Sequence, residues 1–414
     1  MSLRQGYGSQ ASREGATSHI ILIDDMKENR ANETSRPCCS ANTKQESASC
    51  CRQTASASSG ALGQLDAPFA DGTILTVAGC APRVPSTLSS ADKLGTFKAR
   101  WGMGRMRYRV EPGLYALGNP TADSNVLVTA NYKMSFDELR SHMPGRDAWI
   151  LVLDTKGINV WCSAGKGTFG AGEIARRIEG VGLAAIVAHR TLILPQLSAP
   201  GVNANEVKRL SGFRVIYGPV RAADLPAFID AGMRATADMR LVRFTLRDRA
   251  ALIPVELMSG LKYALVIGLC FLVLSVLGRG GFSAGRIVDI GVPSAILFII
   301  AFLAGVIFTP ILLPYLPGRS FSAKGVWIGF ALVLILFILS STYPIPLRNW
   351  LQLSAWVLLI PAVVSFIAMN FTGASTYTSL SGVRREMHIA VPIQIAAAGM
   401  GIVLWLIGLF VATL

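Results

Sequence analysis

The stretch that decides the fold is Ala148–Asp154 (AWILVLD) and the sixteen residues after it, Thr155-Lys156-Gly157-Ile158-Asn159-Val160-Trp161-Cys162-Ser163-Ala164-Gly165-Lys166-Gly167-Thr168-Phe169-Gly170. A short apolar run bounded by turn residues reads as a strand buried on both faces. The Gly-rich segment then leads into Glu173–Glu179 (EIARRIE), a helical pattern ended by Gly180. Working outward, Asn125–Ala130 (NVLVTA), Leu183–Ala188 (LAAIVA), Leu192–Leu194 and Arg214–Tyr217 read as strands. Ser135–Ser141, Asn203–Leu210 and Ala222–Ala231 read as helices. Strands alternating with helices imply a largely parallel α/β sheet with helices on both faces. In such sheets ligands bind at the carboxyl ends of the strands, which is where Thr155–Gly170 begins.

This domain is only part of the chain. Of 414 residues, 15% are charged, against about 25% in an ordinary soluble protein. The deficit is concentrated after Leu261, where eight Lys or Arg and two acids are spread over 154 residues. Residues 1–260 hold 31 basic and 23 acidic groups, a normal soluble density. A single soluble globule is excluded, and so is a membrane protein with no sizeable soluble part.

A helix needs about 20 apolar residues to cross roughly 30 Å of hydrocarbon. Charge-poor runs of that kind recur at Leu261–Leu277, Ile290–Phe308, Gly325–Ser341, Leu351–Met369 and Val391–Thr413. They predict an all-α membrane domain of five transmembrane helices. No acid or histidine falls at mid-span, so an anchor or scaffold is expected rather than an ion pathway. Arg319, Lys324, Arg384 and Arg385 fall in loops on one side and Arg279, Arg286 and Arg348 on the other. The basic run before the first span (Arg243, Arg247, Arg249, Lys262) tips the soluble half towards the cytoplasm. The expected location is the cytoplasmic (inner) membrane, multi-pass, with membrane lipid as a partner. The +14 net charge reads as dispersed rather than gathered with aromatics on one element, which argues against nucleic acid.

Residues 1–95 are rich in Ser, Ala, Gly, Thr and Asn, and read as a low-complexity, disordered extension. It holds Cys38-Cys39 and Cys50-Cys51, without the C-x-x-C spacing of a zinc or iron–sulfur site. The first 20 residues show no apolar signal region. Val77-Ala78-Gly79-Cys80 resembles a lipoprotein cleavage box, but lies far from the start.

Several chemistries compete for Thr155–Gly170. A phosphate loop of the G-x-x-x-x-G-K-[ST] type fails twice: Gly167 follows Gly165-Lys166, and Val160 stands where the first glycine belongs. Gly165, Gly167 and Gly170 have dinucleotide-loop spacing but do not directly follow a strand. A nucleophilic Cys162 needs a base, and only His142 and His189 are available in this domain. On residue types alone, a buried Cys beside a core Trp is an equal reading.

Asn159-Val160-Trp161-Cys162-Ser163-Ala164-Gly165-Lys166 resembles the signature of the mercury-methylating corrinoid proteins (the HgcA family), N-[VI]-W-C-A-[AGS]-G-K. It departs only at Ser163, where the family has Ala; the hydroxyl is expected near the ligand. Val128–Lys133, Leu153–Lys156, Leu192–Gln196, Ala199–Val202 and Tyr217–Val220 also resemble the corrinoid domain shared with the large subunit of corrinoid iron–sulfur proteins. The likeness covers roughly residues 95–414. It implies an α/β Rossmann-like corrinoid-binding domain at 96–250, followed by the membrane domain at 251–414.

The resemblance implies a cobalt corrinoid (cobalamin-type) as cofactor. The motif would form a cap helix over it, with Cys162 as the lower axial cobalt ligand and catalytic residue. The cofactor-binding set is Asn159, Val160, Trp161, Cys162, Ser163, Ala164, Gly165, Lys166 and Gly167. A strongly donating thiolate would favour delivering methyl as a carbanion equivalent to Hg(II), giving methylmercury. A small ferredoxin with two [4Fe–4S] clusters and a folate-linked methyl donor are the implied partners. Two other functions fit the residues: a corrinoid methyl carrier of one-carbon metabolism (acetyl-CoA pathway type), and a non-catalytic membrane receptor with an α/β sensor domain.

Overall fold

The computed structural model describes residues 62–278, 281–341, 350–371 and 380–411. Cys38, Cys39, Cys50, Cys51, Arg279 and Arg348 lie outside the described residues. Seven strands form one mixed sheet: β1 (Gly72–Thr76), β2 (Gly79–Val84), β3 (Gly113–Leu117), β4 (Val126–Ala130), β5 (Ala148–Leu153), β6 (Thr191–Leu194) and β7 (Arg214–Tyr217), in the order β1-β2-β3-β5-β4-β6-β7. The β5-β4-β6-β7 half is parallel, as the alternating pattern predicts. β3 runs antiparallel to β5, and β1 antiparallel to β2.

The helices of this domain are α1 (Ser90–Arg100), α2 (Lys133–Ser141), α3 (Val160–Gly165), α4 (Ala171–Gly180), α5 (Leu183–Ile186), α6 (Ala204–Ser211) and α7 (Leu225–Asp230). They cover both faces. On one, Trp149, Leu151 and Leu153 of β5 share a core with Val160, Ala164, Ile174, Ile178 and Val207. On the other, Ala148, Ile150 and Val152 meet Phe136, Leu225 and Phe228. The alternation along β5 is the period-2 signature of a strand buried on both sides.

Two local expectations are corrected, and the discounted lipoprotein-box likeness is accounted for. Order does not begin at residue 96: β1, β2 and α1 precede it. Their polar and small residues look like low complexity because β1 is an edge strand with exposed positions, and because α1 is held by charge rather than by apolar burial. Asp92, Lys133, Asp137 and Arg140 form a buried ion cluster, with Lys133 Nζ 2.7 Å from Asp92 and Arg140 Nη2 2.8 Å from Asp92. Cys80 is a buried residue of β2, so the lipobox-like stretch is a hairpin turn and strand. Finally, Leu183–Ala188 is not a strand. Leu183 and Ile186 are buried while Ala184 and Ala185 are exposed, a helical period, and Gly182 at φ +60° starts α5.

Beyond α8 (Leu246–Ala250), the chain forms α9 (Ile253–Leu274), α10 (Val292–Leu312), α11 (Phe321–Leu339), α12 (Trp350–Asn370) and α13 (Leu380–Phe410). Among the described residues, five helices are thus long and apolar enough to cross a membrane. They pack around Phe271, Phe298, Trp356 and Trp405. Lys324 is not a loop charge. It lies in the first turn of α11, buried, and donates to the Leu313 carbonyl at 2.6 Å. Arg384 and Arg385 lie within α13.

Candidate functional site

From β4 the chain passes through α2 to β5 on one side, and later supplies β6 on the other. That reversal opens a crevice at the carboxyl ends of β4 and β6, where ligands of open α/β sheets bind. A cavity of about 330 Å³ fills it. Leu127, Val128 and Thr129 form its floor, Ser135 and Leu139 of α2 one wall, and Pro195, Gly218 and Pro219 the other. Asn159, Val160 and Trp161 close it from the side of α3. The sequence stretches that carry the corrinoid resemblance therefore converge on one edge of the sheet.

The loop leading to α3 is fixed by buried Asn131, just past β4. Its Oδ1 accepts from the Thr155 N–H at 3.1 Å, the Thr155 hydroxyl at 2.8 Å and the Gly157 N–H at 2.9 Å. Lys156 and Gly157 both take left-handed backbone, at φ +60° and +74°. Glycine is favoured at 157 by its positive φ, and a Cβ there would also lie a tight 3.1 Å from the Met106 carbonyl oxygen. Beneath the loop, Glu173 accepts from the Asp154 N–H at 2.9 Å and pairs with Arg176 and Arg177. Burial alone would raise the Glu173 carboxyl. The Asp154 N–H and the two guanidiniums outweigh it and hold the group below the usual glutamate range.

Asn159 caps α3: its Oδ1 accepts from the Cys162 N–H at 2.9 Å. Gly167, at φ +78°, follows the last turn. Gly201 pins the helix from the other side, since a Cβ there would stand 2.3 Å from the Ala164 carbonyl oxygen. The Ser163 hydroxyl, expected near the ligand, turns back onto the backbone of its own turn. It is fully buried and donates within the helix, 2.6 Å from Asn159 O and 3.0 Å from Val160 O.

Cys162 is a half-buried free thiol. Its immediate surroundings are small: Ser163 and Ala164 are buried, and a Cβ added at Gly165 or Gly167 would meet nothing within 4 Å. Trp161 is partly exposed and Lys166 exposed. Of the expected binding set, Asn159, Val160 and Trp161 line the cavity. Cys162, Ser163, Ala164, Gly165, Lys166 and Gly167 lie on the helix beside it. Neither histidine of the domain serves Cys162 as a base. His189 bonds to Ser124 O at 2.9 Å and His142 to Glu138 O at 2.8 Å, both near the amino ends of the strands.

This donor set is compatible with a metal group that brings most of its own ligands. Among the described residues no three His, Cys, Asp or Glu side chains gather in a metal-binding group. A metal here would have to bring most of its ligands, as a flat macrocycle does, and take one from the protein. A single thiol on a helix with an open, glycine-lined side meets that need. The residues present fit a corrinoid.

Sequence reasoning missed Asn131, Gly201 and Glu173 as positioning residues. All three stand inside stretches already singled out, and only three-dimensional closeness reveals their roles.

Comparison with known proteins points the same way for this domain. Residues 103–229 match the family model described as CO dehydrogenase/acetyl-CoA synthase delta subunit. The chain is 32% identical over 123 residues to an acetyl-CoA decarbonylase/synthase complex subunit gamma of Methanopyrus kandleri, covering 29% of this chain and 26% of the relative. It is 31% identical over 128 residues to the subunit of that name in Archaeoglobus fulgidus, covering 30% and 27%. A gamma 2 subunit of Methanosarcina mazei is 30% identical over 125 residues, covering 29% and 26%. The chain thus spans about a quarter of the length of these relatives, and α9–α13 lie outside the region matched to the family model.

Proposed function

We propose that the α/β domain binds a cobalt corrinoid and that the chain is a methyl carrier anchored in a membrane by its five apolar helices. The placement of Cys162 supports this most: one free thiol, on a short helix pinned by Asn131, Asn159 and Gly201, at the ligand-binding edge of the sheet. A corrinoid bound here supplies a cobalt that takes up and releases a methyl group. Cys162 would be the protein's ligand to that cobalt, and its thiol would give up its proton on coordination. Val160 and Trp161 line the crevice and exclude water, while the open side at Gly165 and Gly167 would admit the flat face of the macrocycle, with Ser163 and Ala164 buried behind it. Lys166 stands exposed at the helix end for a peripheral amide.

The relatives are named for the acetyl-CoA decarbonylase/synthase complex, which supports one-carbon metabolism as the setting. A second reading keeps Hg(II) as methyl acceptor, with methylmercury as product. The octet Asn159–Lys166 and the membrane-length helices beyond the matched region favour it. Thiolate ligation supports that reading chemically, because axial charge donation is the protein's main lever on the cofactor metal. In either setting the α/β domain faces the cytoplasm and a folate-linked donor supplies methyl; in the Hg(II) reading, where methyl leaves as a carbanion equivalent, a small ferredoxin with two [4Fe–4S] clusters would supply the two electrons that return cobalt to Co(I). The test is methyl release from the anaerobically purified full chain, offered either an acetyl-CoA-forming acceptor or Hg(II). Turnover with the first alone supports one-carbon metabolism, and turnover with Hg(II) alone supports mercury methylation. A colourless protein that transfers no methyl overturns both.

A further inference from the structure

Helix α1 is amphipathic in the reverse sense of an ordinary surface helix. Its inward side is polar and small. Asp92 joins the buried ion cluster, Gly95 packs so tightly on Tyr108 that a Cβ would meet the ring at 2.6 Å, and Ala99 is buried. Two residues further round the helix, Leu94 and Phe97 are 53% and 54% exposed. The Phe97 ring is 6.0 Å from that of Trp101. The following loop adds Met103 and Met106, at 50% and 63% exposure.

Interleaved with these apolar groups, Lys93, Lys98, Arg100, Arg105, Arg107 and Arg109 occur with no acid from residue 93 to 109. Six basic residues of a chain with net charge +14 are therefore gathered here beside aromatics, where composition alone reads the charge as dispersed. The loop also abuts the first membrane-length helix. A Cβ at Gly102 would lie 3.9 Å from Val255 and Met258 at the start of α9, and Arg105 lies within electrostatic reach of Glu256. On its other side it meets the cap loop, through Met106 O against Gly157.

We infer that residues 93–109 form an interfacial foot that seats the α/β domain on the surface of an anionic bilayer. The apolar side chains enter the headgroup boundary and the lysines and arginines meet lipid phosphates. Continuity with α9 and the run of largely exposed lysines and arginines without an acid of its own select the bilayer as occupant. The contact also sets the cap loop close to the membrane. This rests on the membrane-anchored reading of the five helices.

The experiment is hydrogen exchange of the full chain in detergent, in phosphatidylcholine nanodiscs, and in nanodiscs that also contain phosphatidylglycerol. Peptides covering 100–109 are expected to exchange about tenfold more slowly with phosphatidylglycerol than in detergent. High salt should reverse the effect. The exposed triple variant Lys98→Glu, Arg100→Glu, Arg107→Glu should abolish it, as should Leu94→Ser with Phe97→Ser. Equal exchange in all three environments overturns the inference, and protection only by a soluble polyanion does the same. Carbonate extraction of native membranes separates the two readings. Release of the chain overturns the anchor and this inference together, whereas retention with equal exchange overturns this inference alone.

Discussion

Gly201→Ala should displace the cap helix without touching the thiol it carries. The added Cβ would stand 2.3 Å from the Ala164 carbonyl oxygen and 2.7 Å from Ala164 C and Cα. Ordinary contact begins at 3.4 Å. All three obstacles are backbone atoms, so no rotamer relieves the clash, and α3 must part from the loop by about 1 Å. Overpacking of this kind costs roughly 1–3 kcal/mol. A domain stable by about 5–15 kcal/mol survives that. Chemistry should not, because Cys162 is two residues from Ala164, and a displacement of about 1 Å at a reacting centre can cost on the order of 100-fold in rate. The assay is methyl release by the full chain, read beside corrinoid content and the thermal melt. Gly172→Ala in α4 is the control. Its Cβ meets nothing within 4 Å, and better helix propensity should stabilise it by up to about 1 kcal/mol. A Gly201→Ala protein that keeps wild-type release and corrinoid spectrum would refute the pinning of α3 by that loop.

Other substitutions probe the same scaffold. Asn131→Ala leaves the Thr155 and Gly157 N–H groups without their acceptor, at a cost of about 2–4 kcal/mol; hydrogen exchange of residues 155–162 should speed up, and unchanged exchange would exclude Asn131 as the anchor. The Thr155 hydroxyl is spared, because it keeps Ile158 O at 2.7 Å. Ser163→Ala should change stability by less than about 0.5 kcal/mol, since the Ser163 hydroxyl bonds only to carbonyls of its own helix; a large drop in melting temperature would contradict that. Glu173 is held below its unfolded range, so its contribution is fully present above about pH 4.3 and is lost as pH falls through the lower folded value. Thermal melts should therefore fall on acidification below that point, and Glu173→Gln should flatten the fall; an equally steep fall in the variant would sink the assignment.

The β5 strand and the α3 motif were legible because continuous apolar burial and a small-residue octet are local signals. Arg214–Tyr217 is delimited by turn residues, and the structure returns the same bounds. The N-terminal strands and α1 were not legible, because what holds α1 is a cluster of charges brought together from residues 92 to 140. No local hydrophobic period announces such a cluster. Leu183–Ala188 misled because two alanines between apolar residues satisfy a strand by composition and a helix by period. Asn131 and Gly201 acquire meaning only through contacts with residues 24 to 37 positions away. Similarly, the buried Gln394, whose Nε2 lies 2.7 Å from Ser365 Oγ, gave no signal inside an apolar run.

The central claim is that Cys162 is the protein's ligand to a corrinoid cobalt. The most direct measurement is the visible absorption and electron paramagnetic resonance spectrum of the anaerobically purified full chain beside that of Cys162→Ala. Wild type is expected to carry a corrinoid whose spectra report sulfur ligation. Cys162→Ala should retain corrinoid, lose that signature and lose methyl release. Superimposable spectra from the two proteins, or a wild type without any corrinoid band, would contradict it.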